Sequence, residues 1–239
     1  MSRERLALVT GTSSGIGEAV ARALLGRRWQ VIGVARRAPT IEGRYRHLAL
    51  DLADASTAAP TIERALAGAF AERGWERIGL INNAATALPG RVRDLEAAEL
   101  ARAFTLDIAM PLWLMGLVLR LKPAATLARV VNISSGAAHR AVPGLAAYCA
   151  AKAALRMAGM AVASELEEGM ALFSYEPGVV DTEMQRTVRE MPPKAFPSSS
   201  LFRQYHAEGR LVSPELPAAD IVEFLESEGD ERFLERRRN

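Results

Sequence analysis

The chain has 239 residues, of which 49% are hydrophobic and 24% charged, and its formal net charge is +2. This composition is typical of one soluble globular domain and excludes a disordered chain, and the small net charge gives no reason to expect a nucleic-acid partner. The single cysteine, Cys149, excludes an internal disulfide, and the three histidines have no partnering cysteines at metal-ligand spacing. We therefore expect no bound metal and a reducing, cytoplasmic setting.

The apolar runs give no indication of a membrane segment. Too few apolar residues precede the first glycines to form the core of a signal peptide. The longest apolar run, 108–119, contains Pro111 and Gly116 and is shorter than the roughly 20 residues that span a bilayer. We expect this run to be a buried helix, and we expect no membrane partner.

Short apolar runs alternate with helical patterns along most of the chain. Continuous apolar runs predict strands buried on both faces, and apolar residues at intervals of three and four predict helices. Strands are predicted at 6–9, 30–35, 47–50, 78–81, 129–133 and 170–175, and helices at 18–25, 57–72, 96–104, 109–121, 146–167 and 218–228. This alternation predicts an α/β fold, a doubly wound parallel sheet with helices on both faces, in a single domain spanning residues 1–239.

Three glycines, Gly11, Gly15 and Gly17, follow the first predicted strand in the sequence TGTSSGIG. Glycine accepts a positive φ and lets a ligand approach the backbone, and the amides at the start of the next helix attract phosphate. The spacing T-G-x-x-x-G-x-G differs from the G-x-G-x-x-G dinucleotide fingerprint. A plain tight turn is the alternative to a phosphate-binding turn. Motifs later in the sequence are needed to distinguish these two interpretations.

The alternation lapses in residues 183–217. Prolines and consecutive serines interrupt any long helix there, whereas Phe196, Leu201, Phe202 and Tyr205 supply apolar cover. A connection this long inside a compact domain is usually functional or disordered. We expect a lid over a substrate site, and a surface excursion that packs its own aromatic residues is the alternative.

Tyr148 and Lys152 are four residues apart in a predicted helix, so that the phenol and the ammonium lie on one face. The ordinary pKa of a phenol is about 10, and a nearby cation stabilises the phenolate. Ser135 ends the fifth predicted strand, where its hydroxyl could hold a substrate carbonyl. Structural roles are the alternative for each residue alone, as a turn cap for the serine and a helix anchor for the tyrosine.

Taken together, these motifs make the sequence similar to the short-chain dehydrogenase/reductase family over nearly the whole chain. The resemblance is carried by the glycine turn at 10–17, Asn-Asn-Ala-Ala at 82–85, Asn-Ile-Ser-Ser at 132–135, the Tyr148/Lys152 pair and Pro-Gly-Val-Val-Asp-Thr at 177–182. It implies a Rossmann-type fold with NADP(H) as the cofactor.

The resemblance also implies roles for individual residues. Ser135 would hold the substrate carbonyl, Tyr148 would transfer the proton, and Lys152 would lower the pKa of Tyr148 and bind the nicotinamide ribose. Asp107 stands where relatives usually carry an asparagine that helps to hold a water near the lysine. The implied cofactor-binding residues are Gly11, Ser13, Ser14, Gly15, Ile16, Gly17, Arg36, Arg37, Asp51, Leu52, Asn82, Asn83, Ala84, Tyr148, Lys152, Pro177, Gly178, Val180 and Thr182.

Asp107 and Arg36 each lead to a specific expectation. If Asp107 is ionised near Lys152, it should take part in the proton relay by leaving the pKa of Tyr148 higher. Pairing of Asp107 with an arginine is the alternative. Arg36 follows the second predicted strand, where an arginine accommodates a 2′-phosphate, so we predict a preference for NADP(H) over NAD(H). Arg37 as the phosphate contact, or a merely solvated arginine, is the alternative there.

Within the family the chain is most similar to sepiapterin and bacterial benzil reductases, through Tyr-Cys-Ala at 148–150, Asp-Thr-Glu-Met-Gln at 181–185 and Gly-Arg-Leu-Val at 209–212. This likeness implies an NADPH-dependent reductase of a vicinal diketone or α-hydroxy ketone. Helices 109–121 and 146–167 could pair subunits in a homodimer or tetramer, or simply cover the sheet. The functional alternative is a non-catalytic NADP(H)-binding sensor of the same fold, which would be expected to lack the tyrosine or the lysine. The charged segment 229–234 departs from the family pattern, so the sequence does not establish whether a seventh strand forms.

Overall fold

A computed structural model of the chain describes residues 4–72, 74–229 and 231–238. The strands are β1 (Arg5–Thr10), β2 (Gln30–Ala35), β3 (Tyr45–Ala49), β4 (Arg77–Asn82), β5 (Leu127–Ile133), β6 (Met170–Glu176) and β7 (Phe233–Arg237). The helices are α1 (Gly15–Gly26), α2 (Ala55–Glu72), α3 (Ala97–Phe104), α4 (Met110–Leu121), α5 (Ala146–Glu165), α6 (Glu183–Glu190), α7 (Ser199–Ala207) and α8 (Glu215–Glu226). Every predicted strand and helix is present, with its ends shifted by a few residues.

The strands form one parallel sheet in the order β3-β2-β1-β4-β5-β6-β7. In this sheet Leu8 of β1 lies between Ile32 of β2 and Leu80 of β4. The strand order reverses between β1 and β4, and open α/β sheets bind ligands outside the carboxyl ends of the strands at such a point. The predicted fold class, a doubly wound parallel sheet in a single domain, is confirmed.

Two apolar layers enclose the sheet, because successive side chains of a strand point to opposite faces. On one face Leu8 belongs to a buried cluster with Leu114 of α4. On the other face the next residue, Val9, belongs to a cluster with Leu24 of α1 and Ile221 of α8. Each face is therefore covered by helices, and the strand ends are left free to carry polar residues.

Among the described residues, the helical run Ala97–Leu121 is long and apolar enough to cross a membrane, judged by length and composition. In the fold this run consists of α3, a π-helical turn at Thr105–Ala109 and α4. Met110, Leu114 and Leu117 from it are at most 2% exposed and pack in the core. The run is a core helix, as predicted for 108–119.

β7 forms although its sequence is charged. It pairs in parallel with β6, with Phe233 opposite Leu172, and Phe233 and Leu234 pack against the clusters on the two faces of the sheet. Glu235 accepts hydrogen bonds from Arg156 of α5 at 2.5 and 2.7 Å. The charges of an edge strand can also discourage pairing with another sheet. The sequence did not establish whether a seventh strand forms, and the structure contains it as β7.

Residues 183–217 contain two short helices, α6 and α7, that the proline and serine pattern did not predict. The side chain of Thr182 caps α6 by accepting a hydrogen bond from the backbone N–H of Gln185 at 3.3 Å. Phe196, between the two helices, is 0% exposed and packs in a cluster with Leu145. The segment is therefore attached to the body of the domain.

Candidate active site

A cleft with a volume of about 860 Å³ opens at the carboxyl ends of the strands. Ligand pockets typically have volumes of about 300–1,000 Å³. The predicted site residues that line it are Gly11, Ser13, Ser14, Gly15, Ile16, Arg36, Arg37, Asp51, Leu52, Asn83, Ala84, Ser135, Tyr148, Lys152, Pro177, Gly178, Val180 and Thr182. The fold thus gathers residues that are far apart in the sequence into one cavity.

Gly17, Asn82 and Asp107 lie behind the wall of this cleft. A Cβ atom at Gly17 would lie 2.2 Å from the carbonyl oxygen of Gly11, so this glycine lets α1 pack closely against the turn. Asn82 is 3% exposed, and its Nδ2 donates a hydrogen bond to Oδ1 of Asn132 at 2.9 Å, which links β4 to β5. Gly17 and Asn82 thus support the wall of the cleft, and their contact with the cofactor stays a prediction.

The glycine turn has a conformation that suits a phosphate group. Gly11 and Gly15 have φ values of +74° and +59°, and a Cβ atom at Gly11 would lie 2.7 Å from Nδ2 of Asn83. The amide of Gly11 donates to Val34 at 2.8 Å, and Nδ2 of Asn83 donates to the carbonyl oxygen of Thr10 at 2.9 Å. Since α1 begins at Gly15, the unpaired amides of its first turn lie beside the cleft. The turn fits the phosphates of a dinucleotide.

Charged side chains surround the end of the cleft formed by β2 and β3. Arg37 Nη2 lies 3.0 Å from Oε2 of Glu183, so that an ion pair joins the end of β2 to α6. Asp51 Oδ2 accepts a hydrogen bond from Nη2 of Arg102 at 2.7 Å. Arg36 is exposed, and within the described part of the chain it makes no ion pair. Arg36 is thus the arginine available to an incoming anion.

Ser135, Tyr148 and Lys152 converge where β5 ends and α5 begins. Nζ of Lys152 lies 5.5 Å from the centroid of the Tyr148 ring and donates a hydrogen bond to the carbonyl oxygen of Ile133 at 2.8 Å. Oγ of Ser135 accepts a hydrogen bond from the amide of Ala137 at 3.2 Å, and the Ser135 hydroxyl acts to lower the pKa of Tyr148. The three side chains form one polar cluster in the cleft.

Burial controls the protonation of this cluster. It raises the pKa of Tyr148 to about 12, against the opposing hydrogen bond from Ser135, and the charge of Asp107 raises this pKa further. Burial also lowers the pKa of Lys152, which Asp107 partly restores. Burial is the largest effect on the pKa of Tyr148, and the lowering of this pKa by Lys152 stays a prediction. The phenol is therefore protonated at neutral pH, as a proton donor must be.

Asp107 occupies the π-helical turn between α3 and α4 and is 2% exposed. Its Oδ1 accepts a hydrogen bond from the amide of Thr86 at 2.9 Å. Burial raises the pKa of Asp107 to about 6, although the Lys152 ammonium and the Thr86 amide both act to lower it. A π turn of this kind is frequent at functional sites. The charge that acts on the pKa of Asp107 is that of Lys152, and no arginine among the described residues forms an ion pair with Asp107. Asp107 does not line the cleft.

Apolar side chains enclose the cleft beside Tyr148. Phe196 and Phe202 have ring centroids 5.7 Å apart. The cluster consists of Ala87, Leu145, Val188 and Phe196, with Val142, Tyr148, Cys149, Met184, Met191 and Phe202 packed against it. We call this cluster the apolar chamber. Ala87, Leu145 and Val188 were not predicted from the sequence, since isolated apolar residues in short or irregular segments carry no periodic signal.

The fold and the cleft define a dinucleotide-binding α/β protein with a serine, a tyrosine and a lysine at the carboxyl edge of its sheet. Residues 5–193 match the short chain dehydrogenase family. The chain belongs to this family of oxidoreductases, whose cofactor is a nicotinamide dinucleotide, NAD(P)H. The predicted family is confirmed.

Characterised relatives cover nearly the whole chain. The benzil reductase of Bacillus cereus that forms (S)-benzoin is 33% identical over 239 residues, which span 94% of this chain and 95% of the relative. The sepiapterin reductase of Bos taurus is 30% identical over 93% of this chain and 90% of the relative. A short-chain dehydrogenase structure from Streptomyces avermitilis has a TM-score of 0.76 at 27% identity, covering 98% of this chain and 89% of that one. The likeness to benzil and sepiapterin reductases predicted from the motifs is confirmed.

Proposed function

We propose that this protein is an NADPH-dependent reductase of a small carbonyl compound, either a vicinal diketone or an α-hydroxy ketone. The observation that carries the proposal is the polar cluster of Ser135, Tyr148 and Lys152 in a cleft that also contains the glycine turn. The apolar chamber beside Tyr148 supports a substrate with apolar or aromatic groups flanking its carbonyl. The identity with benzil and sepiapterin reductases supports the same substrate class.

Each residue of the polar cluster has a task in the proton transfer of this proposal. The hydroxyl of Ser135 donates a hydrogen bond to the substrate carbonyl oxygen, and the phenol of Tyr148 gives its proton to the same oxygen, which becomes a hydroxyl. The ammonium of Lys152 stabilises the phenolate that remains, until solvent returns the proton. Asp107 favours the charged form of Lys152. Bound NADPH supplies the hydride.

The other residues of the cleft would hold the cofactor. The turn residues Gly11, Ser13, Ser14, Gly15 and Ile16 would hold its phosphates. Arg36, with Arg37 beside it, would bind the 2′-phosphate, which is why we propose NADP(H) rather than NAD(H). The adenosine would lie against Asp51, Leu52, Asn83 and Ala84, and the nicotinamide and its ribose against Tyr148, Lys152, Pro177, Gly178, Val180 and Thr182.

We further propose that residues 183–217 act as a lid on the substrate. Met184 and Val188 of α6 and Phe202 of α7 line the cleft and belong to the apolar chamber. In an open position of this lid, Tyr148 would be exposed to water. In the closed position, the lid would exclude water during proton transfer.

The assembly and location are proposals as well. Leu112 of α4 and Met157 and Met160 of α5 are 42%, 61% and 39% exposed, so these two helices present apolar surface through which copies of the chain could form a homodimer or tetramer. A cytoplasmic location agrees with a composition that has a single cysteine.

A substrate screen tests the proposed function. Purified protein is mixed with NADPH and, in turn, with benzil, sepiapterin, a simple α-hydroxy ketone, a quinone and a steroid ketone, and the loss of NADPH absorbance is followed. The proposal expects turnover of the diketone or the α-hydroxy ketone and slower turnover of the same compound with NADH. Tight NADPH binding without turnover of any of these compounds would favour the non-catalytic sensor.

A further inference from the structure

Thr12 is a residue of the glycine turn that does not face the cleft. It is 0% exposed, whereas its neighbours Gly11 and Ser13 line the cavity. Its Oγ1 lies 2.8 Å from the phenol oxygen of Tyr45 on β3. The side of the turn away from the cleft is therefore hydrogen-bonded to a strand at the edge of the sheet.

The tyrosine reaches the turn by crossing over Gly33 of β2. A Cβ atom at Gly33 would lie 2.1 Å from the phenol oxygen of Tyr45 and 2.6 Å from two of its ring carbons. Gly33 is not among the described residues with a positive φ. A glycine is thus needed at this position for space rather than for backbone conformation, and the space is filled by Tyr45.

Tyr45 is also held from the side by His47. Nδ1 of His47 lies 3.4 Å from the phenol oxygen of Tyr45, and the two rings are stacked with centroids 6.3 Å apart. Burial is the largest effect on both groups: it raises the pKa of Tyr45 and lowers the pKa of His47. Both side chains are therefore neutral near pH 7, and the phenol serves as a fixed hydrogen-bonding group.

We propose that Tyr45 is a positioning residue for the cofactor, because it fixes the glycine turn from behind through the hydroxyl of Thr12. Asn83 holds the same turn from the β4 side, through its hydrogen bond to Thr10. Tyr45 does not line the cleft, so it acts through Thr12 and not by contact. The inference rests on the proposed function, since it takes the turn to be the site that binds the phosphates of NADP(H).

Removing the phenol oxygen leaves the buried hydroxyl of Thr12 without this partner, and the turn can then depart from its binding conformation. A neutral hydrogen bond of this kind corresponds to about a 2- to 10-fold change in an equilibrium constant. We therefore expect Tyr45→Phe to raise the Kd of NADPH by about that factor. The kcat at saturating NADPH should change much less, since Ser135 and Tyr148 belong to other elements.

A double-mutant cycle on cofactor binding tests the inference. The Kd of NADPH is measured by isothermal titration calorimetry for the wild type, Tyr45→Phe, Thr12→Val and the double variant, and the melting temperature of each cofactor-free protein is recorded. Each single variant should bind more weakly, and the double variant should bind no more weakly than the weaker single, because both remove the same contact. Thr12→Ser keeps the hydroxyl and should bind more tightly than Thr12→Val.

The outcomes separate this inference from the proposed function. A Kd for Tyr45→Phe equal to that of the wild type, or fully additive effects in the double variant, would overturn the role of Tyr45 and leave the proposed function intact. A wild-type protein that binds neither NADPH nor NADH would overturn the proposed function and the inference together.

Discussion

The carboxyl group of Asp107 and the ammonium of Lys152 are buried together behind Tyr148, with 2% and 3% of their surfaces exposed. Each favours the charged form of the other: Lys152 acts to lower the pKa of Asp107, and Asp107 acts to raise the pKa of Lys152. The charge of Asp107 also raises the pKa of Tyr148. Asp107 thus adds a negative charge to the site at a position where relatives are expected to carry a neutral asparagine.

Replacing this charge should shift the pH dependence of alcohol oxidation. Oxidation requires the phenolate of Tyr148, so its rate rises with pH through the tyrosine pKa. Because Asp107 raises that pKa, Asp107→Asn should move the rising limb to lower pH. The measurement is a pH–rate profile for oxidation with saturating NADP⁺, with NADPH binding as the control for an intact site. A limb that stays fixed or moves to higher pH would remove Asp107 from the proton relay.

The buried carboxyl group should also make stability depend on pH. The folded state raises the pKa of Asp107 from 3.8 to about 6, so it binds this proton more tightly than the unfolded chain does. Stability from this group is therefore full below about pH 4 and is lost as the pH rises through about 6. At pH 7 the free energy of unfolding of Asp107→Asn should exceed that of the wild type by up to about 3 kcal/mol, so the variant should unfold at a higher urea concentration. This difference should shrink towards pH 4. Urea unfolding curves at both pH values measure this, and an equal difference at the two would contradict it.

The sequence could predict which residues meet in the cleft, because polar residues that follow parallel strands come together at one edge of the sheet. Ser135 and the glycine turn follow predicted strands, and the carboxyl ends of parallel strands share one edge. The direction of the Tyr148 pKa could not be predicted from a four-residue spacing to Lys152, since it depends on how deeply the phenol is buried.

Long-range contacts explain the other differences between sequence and structure. Glu235 of β7 forms an ion pair with Arg156 of α5, a residue far away in the sequence. Asn82 and Asn83 are adjacent and chemically identical, yet only Asn83 lines the cleft. The contact between Tyr45 and Thr12 crosses β2, and no local pattern signals it.

The preference for NADP(H) can be tested at Arg36. Arg36→Asp replaces a cation that is free to bind a 2′-phosphate with an anion that can bind a ribose hydroxyl. We expect kcat/KM to fall about 10- to 100-fold with NADPH, as for loss of a charged hydrogen bond, and to rise with NADH. Arg37→Asp is the comparison, and its effect should be smaller because Arg37 already pairs with Glu183. An unchanged NADPH to NADH ratio in Arg36→Asp would assign the phosphate contact elsewhere.

The lid can be tested at Phe202. Phe202→Ala removes an aromatic side chain that packs against Phe196 in the apolar chamber, so the KM for the carbonyl substrate should rise about tenfold, as for loss of a buried aromatic contact. The Kd of NADPH should stay unchanged. Leu216→Ala is the matched control, since Leu216 lies in the same segment but is 45% exposed and does not line the cleft. Equal KM values for Phe202→Ala and Leu216→Ala would argue against a lid.

In the proposed reaction the phenol of Tyr148 gives the proton to the carbonyl oxygen, and Tyr148→Phe removes this proton donor. The measurement is the kcat for reduction of the best substrate from the screen, taken together with the Kd of NADPH by calorimetry. We predict that kcat falls by about 10²- to 10⁴-fold, as for loss of a general acid, while the Kd changes little because the glycine turn and Arg36 are intact. A near-normal kcat in this variant would show that Tyr148 is not the proton donor.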